Sequence, residues 1–266
     1  MTSYTLKISE PEVRRYRMMA ERAVTREADA WREAGFVPGA AVADIGCGPG
    51  AILAELARIV GPAGSAVGIE RDPASAAIAE QPLAESGLSD ARVAVADAGA
   101  TGLQPASLDA VMIRHVLVHN DDESIRAILG HVEQLLRPGG TLYVIDTDLT
   151  AHRLLPRDDD LVEERERYHE LLRVRGCDPA IGPRLGGLLA DAGLETQLRD
   201  AFWEVIAPLP PAMTPPQTAA RQAILDAGLA TEEDGKRWDA ARERFLGRPD
   251  TILFVAAFRA VGRRPV

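Results

Sequence analysis

Apolar and polar positions follow two different periods along this chain. Over residues 12–32, apolar side chains recur at Val13, Tyr16, Ala20, Ala23, Val24, Ala28 and Trp31, with Arg and Glu between them. That spacing of three to four predicts a helix with one buried face. Gly35 and Pro38-Gly39 end it. Short apolar runs then alternate with helical stretches. Strands are predicted over 41–45, 65–70, 91–97, 108–113 and 141–146, and helices over 51–60, 73–86 and 123–136. Such β–α alternation implies an α/β fold, a mostly parallel sheet with helices on both faces.

After Asp148 the pattern changes. Residues 158–175 are dense in charge and read as a largely solvated helix, with Asp158-Asp159-Asp160 at its start, where Asp favours the helix N-terminus. A helix over 185–192 and a strand over 195–206 follow. Pro208, Pro210, Pro211, Pro215 and Pro216 form a stiff connector. Two helices, 217–227 and 232–246, and a last strand over 251–259 complete the chain. No internal repeat is visible, so 1–266 is read as one domain. Within it, 1–37 is an N-terminal helical segment, 38–148 the ligand-binding core, 149–194 an insertion and 208–250 a helical hairpin.

Composition narrows the function. With 266 residues, 46% apolar and 26% charged, the chain is an ordinary globular protein. No apolar run reaches the roughly 18 residues of a membrane span, and residues 1–10 lack a signal-peptide core. No membrane partner is expected, and the cytoplasm is the expected compartment. Two cysteines, Cys47 and Cys177, make neither a disulfide scaffold nor a closed zinc site, and no metal site is expected. A net charge of −10 and 5% aromatic residues argue against a nucleic-acid partner.

The most informative stretch is Asp44-Ile45-Gly46-Cys47-Gly48-Pro49-Gly50. A strand runs into three glycines within five residues and then into a helix, which lets a ligand approach the backbone. Glu70 ends the next strand, 24 residues after Gly46, where a carboxylate hydrogen-bonds ribose hydroxyls. Gly46-x-Gly48-x-x-Ala51 formally fits a dinucleotide pattern. However, Asp44 aims a carboxylate at the same crevice and Pro49 removes a backbone donor. Both disfavour a phosphate and suit a ligand that is cationic there. No Gly-Lys-Ser/Thr follows, which removes the P-loop alternative.

These residues resemble the first motif of class I S-adenosylmethionine-dependent methyltransferases. Gly68-Ile69-Glu70-Arg71-Asp72, Val95-Ala96-Asp97-Ala98, Leu108-Asp109-Ala110-Val111 and Arg137-Pro138-Gly139-Gly140-Thr141-Leu142 resemble the next four, in order. Met112 to His119 is similar to the segment after strand four in ubiquinone- and menaquinone-biosynthesis methyltransferases and actinobacterial natural-product enzymes. The resemblance implies a Rossmann-like seven-stranded sheet with its last strand antiparallel and a helical lid. It implies S-adenosylmethionine as cofactor, and a small-molecule acceptor methylated at O, N or C in secondary metabolism. A monomer or homodimer is expected.

The resemblance also implies roles. Asp44 would face the cofactor's ammonium, Gly46, Cys47 and Gly48 would form the loop, and Glu70 and Arg71 would lie at the ribose. Asp97 and Ala98 would hold the adenine, while Arg114 and Tyr16 would reach the methionyl end. His115 stands where donor and acceptor meet and is the candidate general base or substrate anchor. His119, His152 and His169 are weaker candidates, and a redox role for Cys47 is discounted. Two other classes stay open. One is an S-adenosylmethionine-binding protein with a cyclase or regulatory role. The other is a nucleic-acid or protein methyltransferase, disfavoured by charge and by Arg114-His115-Val116-Leu117 standing where nucleobase N-methylating enzymes carry an Asn/Asp-Pro-Pro-Tyr motif.

Overall fold

A computed structural model describes residues 9–85, 91–210, 215–246 and 248–266. Ser86 of the predicted second β–α helix, the N-terminal residues 1–8 and Pro211 of the connector lie outside them.

Helix α1 (Glu10–Glu33) starts at Ser9, whose hydroxyl accepts the N–H of Glu12. Then follow β1 (Ala41–Ile45), α2 (Ala51–Val60), β2 (Ser65–Glu70), α3 (Pro73–Glu85), β3 (Ala91–Val95), β4 (Leu108–Arg114), α4 (Asp122–Leu135) and β5 (Leu136–Thr147). The remainder is β6 (Arg153–Leu155), α5 (Asp159–Val174), α6 (Leu185–Asp191), β7 (Glu195–Ile206), α7 (Pro216–Ala219), α8 (Arg221–Asp226), α9 (Glu232–Leu246) and β8 (Ile252–Arg263).

The sheet runs β3-β2-β1-β4-β5-β8, parallel from β3 to β5. β8 is antiparallel to β5 on one side and to β7 on the other. This is the Rossmann-like architecture that the motifs implied, with one strand more. The short β6 pairs with Ile252–Phe254 of β8 and makes eight strands, not seven. Three residues carry too little periodicity to register as a strand in the sequence.

Alternation along the central strands sorts the core into two layers. Val42, Met112, Tyr143 and Ile145 face α1 and α2, with Trp31, Leu53 and Leu56. Ala43, Ile45, Val111, Ile113, Leu142 and Val144 face the other way, onto α4, α5 and α6. Burial on both faces explains why β1 reads as a continuous apolar run.

Four expectations need correction. β3 stops at Val95, and Asp97 instead pairs with Ala100 in an isolated bridge. β5 starts at Leu136, so the Pro138-Gly139-Gly140 turn lies inside a strand. A register shift between Leu108 and Ala110 absorbs it. The predicted helix over 217–227 breaks at Ala220 into α7 and α8. The helix read as solvated, α5, buries Leu161, Tyr168, Leu171 and Leu172 in a stripe, along with Glu164. Glu164 has no exposed surface and is held by Arg221 and Arg242, so its charge hid a buried face. Among the described residues, no helix is long and apolar enough to cross a membrane.

α1 is tied to the sheet by a buried polar cluster. Arg114 at the end of β4 donates from Nη1 to both oxygens of Glu27, at 2.9 and 2.8 Å. The hydroxyl of Tyr143 on β5 donates to Glu27 at 2.7 Å, and burial beside that carboxylate pushes its pKa far up. Thr141 bonds the Ala34 carbonyl at the helix end. Glu27→Ala leaves Arg114 buried without its counter-ion and should cost about 3–5 kcal/mol. Tyr143→Phe removes one hydrogen bond, about 1–2 kcal/mol. Urea unfolding of both variants checks the order; an equal loss would contradict the account.

Candidate functional site

The glycine loop between β1 and α2 is folded tightly. Gly46 has φ +75°, and a Cβ there would come within 2.5 Å of Val116 Cγ2. Gly50 has φ +77°, and a Cβ would meet the Ala79 backbone at 2.8 Å. The N–H groups of Gly46 and Cys47 donate to the Ile69 carbonyl at 2.8 and 3.0 Å. That of Gly48 donates to Glu70 Oε2 at 3.0 Å, and that of Gly50 to the Cys47 carbonyl at 3.0 Å. Pro49 has none. From Gly46 to Gly50, every donor is committed, so this loop offers nothing to a pyrophosphate.

Two carboxylates lie at the loop. Glu70 is 3% exposed and accepts from Gly48 and, through Oε1, from the Asp72 N–H at 2.9 Å. One lone pair on each oxygen is left for a ligand. Asp44 is 2% exposed and its Oδ2 has no partner. Burial pushes its pKa up to about 7; Arg114 pulls it down and Glu70 pushes it up. An orphaned, desolvated carboxylate is costly, and a cationic ligand group would satisfy it.

A cleft of about 980 Å³ opens over this loop. It brings together Tyr16, Gly46, Gly48, Glu70, Arg71, Asp97, Ala98, Arg114 and His115 from among the residues singled out in the sequence. Asp44 and Cys47 do not line it. Cys47 turns its thiol into the core against Gly68 and Leu53, and burial there pushes the thiol pKa up. Asp97 is exposed, with one oxygen accepting the Gly99 N–H at 2.8 Å. One nitrogen of Arg114 is taken by Glu27.

A second chamber, about 1320 Å³ and largely apolar, meets the cleft at Tyr16, Arg114, His115 and His119. Met19, Leu149, Leu161, Val162 and Ile206 line its apolar walls. His115 stands at the junction in the left-handed region, φ +54°, with its N–H bonded to the Ile145 carbonyl at 2.9 Å. A non-glycine residue held so costs on the order of 1–3 kcal/mol. Its Nδ1 faces Asp146 Oδ1 at 3.8 Å. Asp146 is fully buried and fixed by the N–H groups of Val118 and Thr147. Burial pushes His119 down to about 4 and His152 to about 3. His152 lines the chamber; His169 does not, and burial holds it at about 4.

Sequence reasoning missed Asp146, Glu27 and Tyr168. Asp146 was visible only as a strand end, and Glu27 as one of several acids on α1. The hydroxyl of Tyr168 is buried without a partner beside the chamber, because α5 presents a face that its charge concealed.

Residues 42–140 match the protein family described as "Methyltransferase domain". The chain is 30% identical over 156 residues to an uncharacterized 37.1 kDa protein in transposon Tn4556 of Streptomyces fradiae, covering 59% of this chain and 44% of that one. It is 27% identical over 136 residues to demethylmenaquinone methyltransferase of Lactococcus lactis, covering 49% and 52%. The matches thus span about half the length of these curated relatives. Among solved structures, a SAM-dependent methyltransferase from Aquifex aeolicus superposes with a TM-score of 0.52 at 16% identity, covering 94% of this chain and 99% of that one. At that identity the likeness is one of fold.

The buried carboxyl of Asp44 makes a pH prediction. Its pKa is 3.8 unperturbed and about 7 in the fold. The folded state therefore holds the proton more tightly, and stability falls as pH rises through this window. Urea unfolding between about pH 4.5 and 7.5 should show a loss on the order of 2–4 kcal/mol that Asp44→Asn lacks. Parallel pH curves for the two proteins would refute it.

Proposed function

We propose that the chain is a class I S-adenosylmethionine-dependent methyltransferase that methylates an oxygen, nitrogen or carbon nucleophile of a small molecule, a reading supported by the match of residues 42–140 to a methyltransferase domain. The observation that carries this reading is the meeting of two chambers at His115, one over the glycine loop and Glu70 and one largely apolar.

The cofactor fits the residues of the cleft together with Asp44, buried beside the glycine loop. Asp44 Oδ2 would take the ammonium, and the free lone pairs of Glu70 the ribose hydroxyls. Asp97 and the backbone of Ala98 would take the adenine. Tyr16, packed 3.9 Å from where a Gly48 Cβ would stand, would close the roof. Bound there, S-adenosylmethionine would supply an electrophilic methyl group on its sulfonium. Holding donor and acceptor in line and excluding water is then the main work of the protein.

His115 handles the proton. Nδ1 faces Asp146 at 3.8 Å, and a tautomer with its proton on that side would leave Nε2 to accept the proton leaving the nucleophile. Asp146 is a positioning residue, since it reaches the acceptor only through the imidazole. The apolar chamber, the net charge of −10 and the absence of a base-methylation motif favour a small acceptor over nucleic acid.

Calorimetry should show S-adenosylhomocysteine binding and NAD binding more weakly or not at all; the reverse order would sink the reading. Glu70→Ala should weaken S-adenosylhomocysteine at least about tenfold, through lost charge-assisted hydrogen bonds. His115→Ala should leave that affinity within about threefold and slow transfer by roughly 10²–10⁴. Product release with an acceptor that turns over measures this, and an unchanged kcat and KM would remove His115 from the mechanism.

A further inference from the structure

Arg165 on α5 lines the acceptor chamber in an unusual state. It is half-buried, its Nε is sealed from solvent without a partner, and its Nη1 donates only to the His152 carbonyl, at 2.9 Å. Among the described residues, no carboxylate forms an ion pair with it. Burial and the charges of Arg153 and Arg157 disfavour its cation; Glu166 is the one acid opposing them.

Of the other charged groups that line the chamber, three are ion-paired and Asp158 is held by backbone hydrogen bonds. Arg15 pairs with Glu12 at 2.5 Å and Arg114 with Glu27 at 2.8 Å. Glu204 is held by Arg22. Asp158 accepts the N–H groups of Asp160 and Leu161 as the cap of α5. One guanidinium is left with unmatched charge, in a wall otherwise made of side chains such as Leu154, Leu161 and Val162. A half-buried cation without a counter-ion is poorly compensated, and an anionic ligand would complete it.

We propose that Arg165 binds a carboxylate on an otherwise apolar acceptor, so that the substrate is an apolar acid. The assignment as acceptor rests on the methyl-transfer reading; the anion site itself does not. A single uncommitted guanidinium matches a singly charged group, and its planar fork suits a carboxylate. Arg165, His152 and His115 all line this one chamber. The chamber therefore runs from the anion site to the transfer site. Apolar walls would take the body of the acid, and the unpartnered Tyr168 hydroxyl and His152 Nε2 any polar substituent along it.

Decanoate and decan-1-ol, matched in length, test the site by calorimetry. The intact protein should prefer the acid by about tenfold or more, the worth of a charge-assisted pair. Arg165→Gln should bring the two within about threefold of each other, and Arg165→Lys should restore part of the preference. S-adenosylhomocysteine titration of each variant, expected within about twofold of the intact protein, shows that the fold and the cofactor cleft are whole. An intact protein that binds decanoate no better than decanol, or not at all, overturns the proposal. So does a preference that survives Arg165→Gln. A preference that follows Arg165 in a chain that binds no S-adenosylhomocysteine supports the anion site and overturns methyl transfer as its use, so the two failures are distinct.

Discussion

The buried carboxylate of Glu27 is the constraint on which the site depends. A charge on the inner face of α1 can be desolvated only if every partner is in place. Arg114 and Tyr143 meet that requirement from two neighbouring strands. The helix is thereby fixed in rotation and translation across the carboxyl ends of β4 and β5. Tyr16 and Arg15, just over three turns earlier on the same helix, are carried over the glycine loop and the apolar chamber. Both chambers share this roof, so both inherit its position from one ion pair.

Economy of donors and acceptors shapes the cleft. The loop commits its N–H groups to Ile69, Glu70 and its own carbonyl. Asp44 is left with an unmatched oxygen. Such a cradle is short of positive charge and has no spare donors, the opposite of a phosphate site. In the neighbouring chamber the sign reverses: Arg165 is a cation without its anion. A cationic group seated at Asp44 and an anionic one at Arg165 would hold two ligands by their opposite ends, with His115 and Asp146 between.

The apolar chamber is braced by the same device as the roof. Glu164, without exposed surface, holds Arg221 of α8 and Arg242 of α9 against α5. The aromatic face of Trp238 lies under the Arg221 guanidinium at 5.1 Å. Arg237 adds ion pairs to Asp160 and Glu163 at the rim. These partly exposed pairs contribute little stability alone; they add to the apolar packing of α5 and α9 through Leu161, Ala241 and Phe245 and of α5, α8 and α9 through Tyr168, Leu172, Ile224 and Trp238.

The sequence by itself determined the parallel sheet, its order of motifs and the glycine loop with Glu70. Those features are local: periodicity fixes element type, and a tight turn between strand and helix demands glycine at particular positions. It also placed Asp97 and Arg114 among the candidates, because motif order sets which strand ends share a crevice, and Tyr16 through the resemblance of the N-terminal helix to a family lid. Tertiary structure alone decided which charges meet. Nothing in the spacing of Glu27, Arg114 and Tyr143, or of Glu164, Arg221 and Arg242, announces that they touch, since each pair is brought together across 57 to 116 residues of chain. The same holds for Asp146 behind His115, and for the solitude of Arg165. A side chain's having or lacking a partner is a property of the packed neighbourhood, and periodicity along one chain carries no record of it.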